Sequence, residues 1–166
     1  LSIFARRKSP PAFDFLPSHF LRLALAEARD AFDEGEVPVG AVVVKEGRVL
    51  GRDHNRTKAL SDPTAHAELL AITAAAQAIE NGRLDGCVLY STLEPCPMCA
   101  GAMVLARIEA VYYAAPDHRY GACGTLFDIP RDPRLAHRVE VYQLAEYAAE
   151  AGELMERFFR ERRETT

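Results

Sequence analysis

Two short segments carry residue types that can do chemistry: His66-Ala67-Glu68 and Pro95-Cys96-Pro97-Met98-Cys99. Cys96 and Cys99 stand three apart, a spacing that puts both sulfurs on one face of a helix. Pro95 and Pro97 put them at a helix start, where unpaired backbone N–H groups and the dipole favour thiolate. Zinc binds thiolate and imidazole, and a catalytic zinc takes three protein ligands and keeps one position for water. His66, Cys96 and Cys99 make such a set. No fourth ligand is near in sequence, because Cys87 opens a strand and Cys123 sits in a loop. The set predicts one zinc per chain and a water whose pKa falls toward about 7. Glu68 is two residues from His66, about 200° round an ideal helix, so it is not expected to ligate beside His66. At an irregular helix entrance it can reach the metal's water, take a proton from it and deliver that proton to a substrate nitrogen. Alone, Cys-x-x-Cys also suits a redox protein, and His-x-Glu alone says little. Their pairing, each at a helix start, is the informative feature.

The elements that must position these residues follow from the pattern. A helix is expected from about His19 to Glu34, capped by Ser18, with Phe20, Leu21, Ala24, Leu25, Ala28 and Phe32 on one face and Gly35 as its stop. Val39 to Val44 and Val49-Leu50 flank Lys45-Glu46-Gly47-Arg48 and predict a hairpin. Residues 52–63 are polar. A helix is expected over Ala65–Ile79, with Pro63 or Thr64 near its first turn and Asn81-Gly82 at its end. A buried strand over Cys87–Thr92, a helix from Pro95 to about Arg107 and a strand over Ala110–Ala114 follow. A loop spans Gly121–Pro133, a last strand Arg138–Tyr142, and a final helix Glu146–Arg163. Alternation of helix and strand predicts an α/β sheet covered on both faces.

At 166 residues, 49% apolar and 27% charged, the chain fits one globular domain with an ordinary core. Residues 1–17, with Pro10, Pro11 and Pro17, are expected to be a tail, and 18–166 a single domain. Arg6, Arg7 and Lys8 have no apolar run after them, so no leader is expected. No apolar run approaches the ~20 residues of a membrane span. A net charge of −4 argues against coating nucleic acid by bulk charge and leaves only local patches. Four cysteines with one tight pair suit a reducing compartment, the cytoplasm, better than a disulfide scaffold.

Several further segments carry a resemblance. They are Glu36-Val37-Pro38-Val39-Gly40-Ala41-Val42, His54-Asn55-Arg56, Asp62-Pro63-Thr64-Ala65-His66-Ala67-Glu68 and Thr92-Leu93-Glu94-Pro95-Cys96. They continue through Cys99-Ala100-Gly101-Ala102-Met103, His137-Arg138-Val139-Glu140 and Phe158-Phe159-Arg160-x-Arg162-Arg163. Over about residues 18–163 the chain resembles the bacterial tRNA-specific adenosine deaminases of the zinc-dependent cytidine deaminase-like superfamily. The resemblance implies a three-layer α/β/α fold with a central mixed five-stranded sheet, and a homodimer. It implies His66, Cys96 and Cys99 as zinc ligands and Glu68 as proton carrier. The implied reaction is hydrolytic deamination of adenosine to inosine at the wobble position of a tRNA anticodon, with release of ammonia. Asn55 matches a contact to the target base or its ribose, and Val39 a wall of the base pocket. Asp117 and Arg119 match positions near the RNA backbone. Pro116 stands where the family commonly has Arg, and Arg119 where Lys is common, so the grip of that loop is expected to differ. Phe158, Phe159, Arg160, Arg162 and Arg163 match the part that meets the anticodon stem-loop, and Arg134, His137 and Arg138 form a second small patch. Read without the resemblance, the last helix is a solvated face with Glu153–Arg157 and Glu156–Arg160 pairs. The alternatives are a free guanine or cytosine deaminase of the same fold, a non-catalytic zinc module, and a redox protein.

Overall fold

The computed structural model describes residues 16–164. The proposed tail therefore lies, but for Leu16 and Pro17, outside the described residues. The first helix, α1, runs Pro17–Asp33 and starts earlier than expected. Leu16 is its N-cap, without a side-chain cap bond, and Pro17 opens the first turn, where its fixed φ suits a helix. Ser18 is thus inside the helix and not its cap. Gly35 follows with φ 75°.

Strands β1 (Gly40–Lys45) and β2 (Arg48–His54) pair antiparallel. Between them Glu46 and Gly47 have φ 49° and 76°, two successive positive values that give a tight turn matching strand twist. The polar stretch after Leu50 proved to continue the strand to His54, because Gly51, Arg52, Asp53 and His54 pair back onto β1. Helix α2 (Ala67–Ala78) lies across β2. A Cβ at Gly51 would stand 2.4 Å from the Ala71 carbonyl oxygen, so only glycine lets the helix that carries Glu68 come this close. Helix α2 ends before Asn81-Gly82, at Ala78, with Glu80 turning left-handed at φ 53°.

Strand β3 (Cys87–Leu93), helix α3 (Pro97–Ala106) and strand β4 (Ala110–Ala115) form the crossover unit. Strand β5 (Glu140–Gln143) starts two residues later than expected, and helix α4 (Ala148–Glu164) follows a short 3-10 turn. The sheet order is β2-β1-β3-β4-β5. Strand β1 is antiparallel to β2 and β3, while β3–β4 and β4–β5 are parallel. This is the mixed five-stranded sheet with helices on both faces that the sequence led us to expect.

One core joins α2 and α3 to the sheet through Ala67, Ala71, Leu89, Ala100, Met103 and Val111. The other joins α1 to the opposite face through Phe20, Leu21, Leu25, Val42 and Val88, with Ala151 of α4. Tyr90, Tyr112 and Tyr142 stack across three neighbouring strands at centroid spacings of 5.2 and 4.8 Å. Among the described residues no helix is long and apolar enough to cross a membrane.

Candidate metal and catalytic site

Helices α2 and α3 start at the same end of the sheet. His66 is the N-cap of α2 (φ −79°, ψ 149°) and Cys96 the N-cap of α3 (φ −73°, ψ 172°), both extended. Each accepts the first backbone bond of its helix, from Leu70 and Ala100 respectively. Expectation had put Cys96 inside the helix; it stands one step before it. A cap residue does not obey the 100° per residue of the helix that follows, and this lets His66 and Glu68 point at one place despite their spacing.

His66 Nδ1 lies 3.6 Å from Cys96 Sγ and 3.7 Å from Cys99 Sγ. Tetrahedral zinc with ordinary bond lengths sets nitrogen and sulfur ligands about 3.6 Å apart. The three atoms all lie within 4.8 Å of one another. The donor set therefore fits one zinc ion. Cys96 is pushed down to about 4 by a hydrogen bond from the Cys99 thiol, helped by His66. Cys99 is pushed up, first because its proton is shared with Cys96 and then by burial. The pair loses one proton easily and holds the second, which a divalent cation replaces.

Glu68 is buried and does not join the ligand triangle. Its Oε2 lies 3.7 Å from Cys99 Sγ, and its Oε1 is 3.4 Å from Ser91 Oγ. Burial holds its carboxyl above the usual carboxylate range, the tuning a proton carrier near neutral pH needs.

Asn55, also buried, accepts the Ala67 N–H on its Oδ1 at 2.9 Å. It thus caps α2 between His66 and Glu68, and its Nδ2 donors are left over. Asn55 N in turn bonds the Val39 carbonyl at 3.1 Å, so Val39, buried in the α2 core, stands beside it. Asp117 forms an Asx-type turn, accepting from Arg119 N and Tyr120 N at 2.8 and 3.1 Å, while the Arg119 side chain is exposed.

Two buried acids that sequence reading gave no role hold the surrounding loops. Glu94 accepts from Asp117 N, Cys123 N and Thr125 N at 3.0, 3.0 and 3.1 Å, and from the Thr125 hydroxyl. It ties the 117–125 loop to the strand end that leads into Cys96. Glu36 accepts from Lys58 N and Ala59 N at 2.9 and 2.8 Å and ties the loop after Asn55. A lone acid amid apolar residues just before Pro95 was the available signal for Glu94.

The C-terminal arginines and phenylalanines divide. Phe158 is 4% exposed and packs edge-on against Phe32 at 5.8 Å. It anchors α4 to α1. Arg162 lies over the Phe158 ring at 4.3 Å and donates to the Gly35 carbonyl, so its guanidinium is engaged in holding α4 at the site's end of the sheet. Phe159, Arg160 and Arg163 are exposed. Arg157 pairs forward with Glu161 at 3.2 Å and stacks on Phe32, in place of the expected Glu153 pair. Of the second patch, Arg134 is paired with Asp132, and His137 Nε2 bonds the Ile108 carbonyl at 2.7 Å.

Residues 16–115 match the cytidine and deoxycytidylate deaminase zinc-binding region. A tRNA-specific adenosine deaminase of Aquifex aeolicus is 49% identical over 147 residues, 87% of this chain and 95% of that protein. The chain belongs to the tRNA-specific adenosine deaminase family, within the zinc-binding cytidine deaminase group. A solved structure from a study of A-to-I editing by tRNA:A34 deaminases superposes on this deaminase with a TM-score of 0.79. It is 45% identical and covers 82% of this chain and 99% of its own. Guanine deaminase from Bacillus subtilis superposes with a TM-score of 0.60 at 35% identity, covering 84% and 93%.

Proposed function

We propose that this protein hydrolyses the amino group of the wobble adenosine in a tRNA anticodon, giving inosine and ammonia. The observation that carries the reading is Glu68, buried at the rim of a three-ligand centre and not part of it. A structural zinc wants four protein ligands and no acid. A redox pair needs neither His66 nor Glu68.

His66, Cys96 and Cys99 would hold one zinc per chain. When bound, zinc supplies Lewis-acid chemistry and a water acidic enough to attack a ring carbon near neutral pH. Glu68 takes a proton from the attacking water, gives it to the purine ring nitrogen as C6 becomes tetrahedral, and then serves the leaving amine. Asn55 presents its Nδ2 donors to the base or ribose, and Val39 walls the base. Asp117 shapes the loop that presents Arg119 to the backbone, and Phe159, Arg160 and Arg163 meet the stem-loop. A loop nucleotide suits this site because its base is splayed and carries a 2′-hydroxyl. Few phosphates are neutralised, so a protein of net charge −4 is no obstacle and affinity falls only shallowly with salt.

The active species is a homodimer, supported by α3, where Leu105 is 84% exposed and Met98 and Ala102 are only partly buried. A monomer mass in light scattering at micromolar concentration overturns that. The protein works in the cytoplasm, consistent with four free cysteines. The deciding experiment offers an anticodon stem-loop with an unpaired wobble adenosine, and separately free guanine, cytosine and adenosine. Inosine in the RNA is expected, and Phe159→Ala with Arg163→Ala slows it without loss of zinc. Inert RNA beside fast guanine turnover assigns the protein to the free-base branch.

A further inference from the structure

His54 is the last residue of β2, with a side chain only 5% exposed and both ring nitrogens facing carboxylates of α1 and its end. Nδ1 lies 2.9 Å from Glu27 Oε2, and Nε2 lies 3.0 Å from Glu34 Oε2. A neutral imidazole has one donor and one acceptor, and its acceptor would face an ionised oxygen here. Two carboxylates on opposite nitrogens are satisfied only when both carry protons. The surrounding charges agree. Asp53 Oδ1 stands 3.8 Å from Nδ1, Arg52 pairs with Glu27, and Arg56 pairs with Asp53 at 2.8 Å. Three carboxylates and two guanidinium groups leave one negative charge, which a protonated His54 cancels. These groups are also ligand types with spacing for a cation, but the arginines already neutralise Glu27 and Asp53.

The next residue is Asn55, whose Oδ1 caps α2 at Ala67, between His66 and Glu68. We infer that His54 is a positioning residue: as an imidazolium clamped between Glu27 and Glu34, it fixes Asn55 and so aims the entrance of α2, and this is a role in the reaction and not in metal binding. The activity arm of the test rests on the proposed deaminase reaction. Two other arms do not, so failure of one reading is distinguishable from failure of the other.

Nitrogen-15 NMR of the full-length, zinc-loaded protein at pH 7.5 is expected to show both His54 ring nitrogens protonated. Its titration midpoint should lie above that of an ordinary histidine, and Glu34→Gln, at a half-exposed carboxylate, should lower it. His54→Gln is expected to keep zinc content and to lower kcat on the stem-loop about 10-fold, as lost outer support of a site does, with KM changed less. In an Asn55→Ala background the same substitution should cost less than 2-fold, since partners acting through one another are not additive. A neutral His54 tautomer at pH 7.5, or an unmoved midpoint in Glu34→Gln, overturns the inference. So does an equal loss from His54→Gln with and without Asn55.

Discussion

His54 and His66 stand 12 residues apart in sequence at the same end of the sheet, each among three groups able to bind a cation. They differ in what surrounds them. His66 meets two sulfurs, each placed by a helix N-terminus, with one ring nitrogen engaged. His54 meets the carboxylates of Glu27 and Glu34 on its two nitrogens, and Glu27 and the neighbouring Asp53 are already paired with Arg52 and Arg56. Soft donors that compete for one proton want a metal. Hard donors balanced by guanidinium groups want the proton itself. Proximity of ligand types is therefore not enough to name a metal centre; the charge behind the ligands decides.

The sharpest way to break this contrast is Cys96→Ala. It should abolish zinc retention and with it deamination, while leaving the His54 cluster intact by NMR. Next comes Glu68→Gln, which should keep zinc but lower kcat by about 10²–10⁴-fold. Zinc loss in that variant would make Glu68 a ligand. Glu27→Leu attacks the other centre. It leaves a buried His54 with one partner fewer, and urea unfolding should show a loss of about 3 kcal/mol with zinc content unchanged. The smallest effect is on pH dependence. Burial pulls His54 down, but hydrogen bonds to Glu27 and Glu34 outweigh it and hold it above its ordinary value. Its contribution to stability is thus complete below about pH 6.5 and is lost as pH rises through the folded value. His54→Gln should flatten that part of the stability curve, seen as unfolding midpoints from pH 6 to 9.

The fold and the metal ligands were legible because they rest on local signals: apolar periodicity, prolines at helix starts, and ligand types at fixed spacing. What escaped rests on distant contacts. Residues 52–54 stood out only as polar, yet they pair onto β1, since a strand's membership depends on its neighbour as well as its composition. Ser18 looked like a cap, but Pro17 supplied the first turn. The roles of Glu36 and Glu94 come from loops that lie 21 to 31 residues further along the chain. Phe158 and Phe159 look alike in sequence, and only the docking of α4 on Phe32 shows which one is interior. Helical spacing was also misleading for His66 and Glu68, because the N-cap lies outside the helix whose geometry was applied.

The central claim is that this chain carries one zinc, on sulfur and imidazole, and that the His54 cluster carries none. Zinc-edge X-ray absorption on the purified protein, with metal content from elemental analysis, tests it most directly. The account predicts one zinc per chain with two sulfur and one imidazole neighbours and a fourth light-atom ligand from solvent. A second zinc per chain, or a zinc shell of nitrogen and oxygen without sulfur, would contradict it.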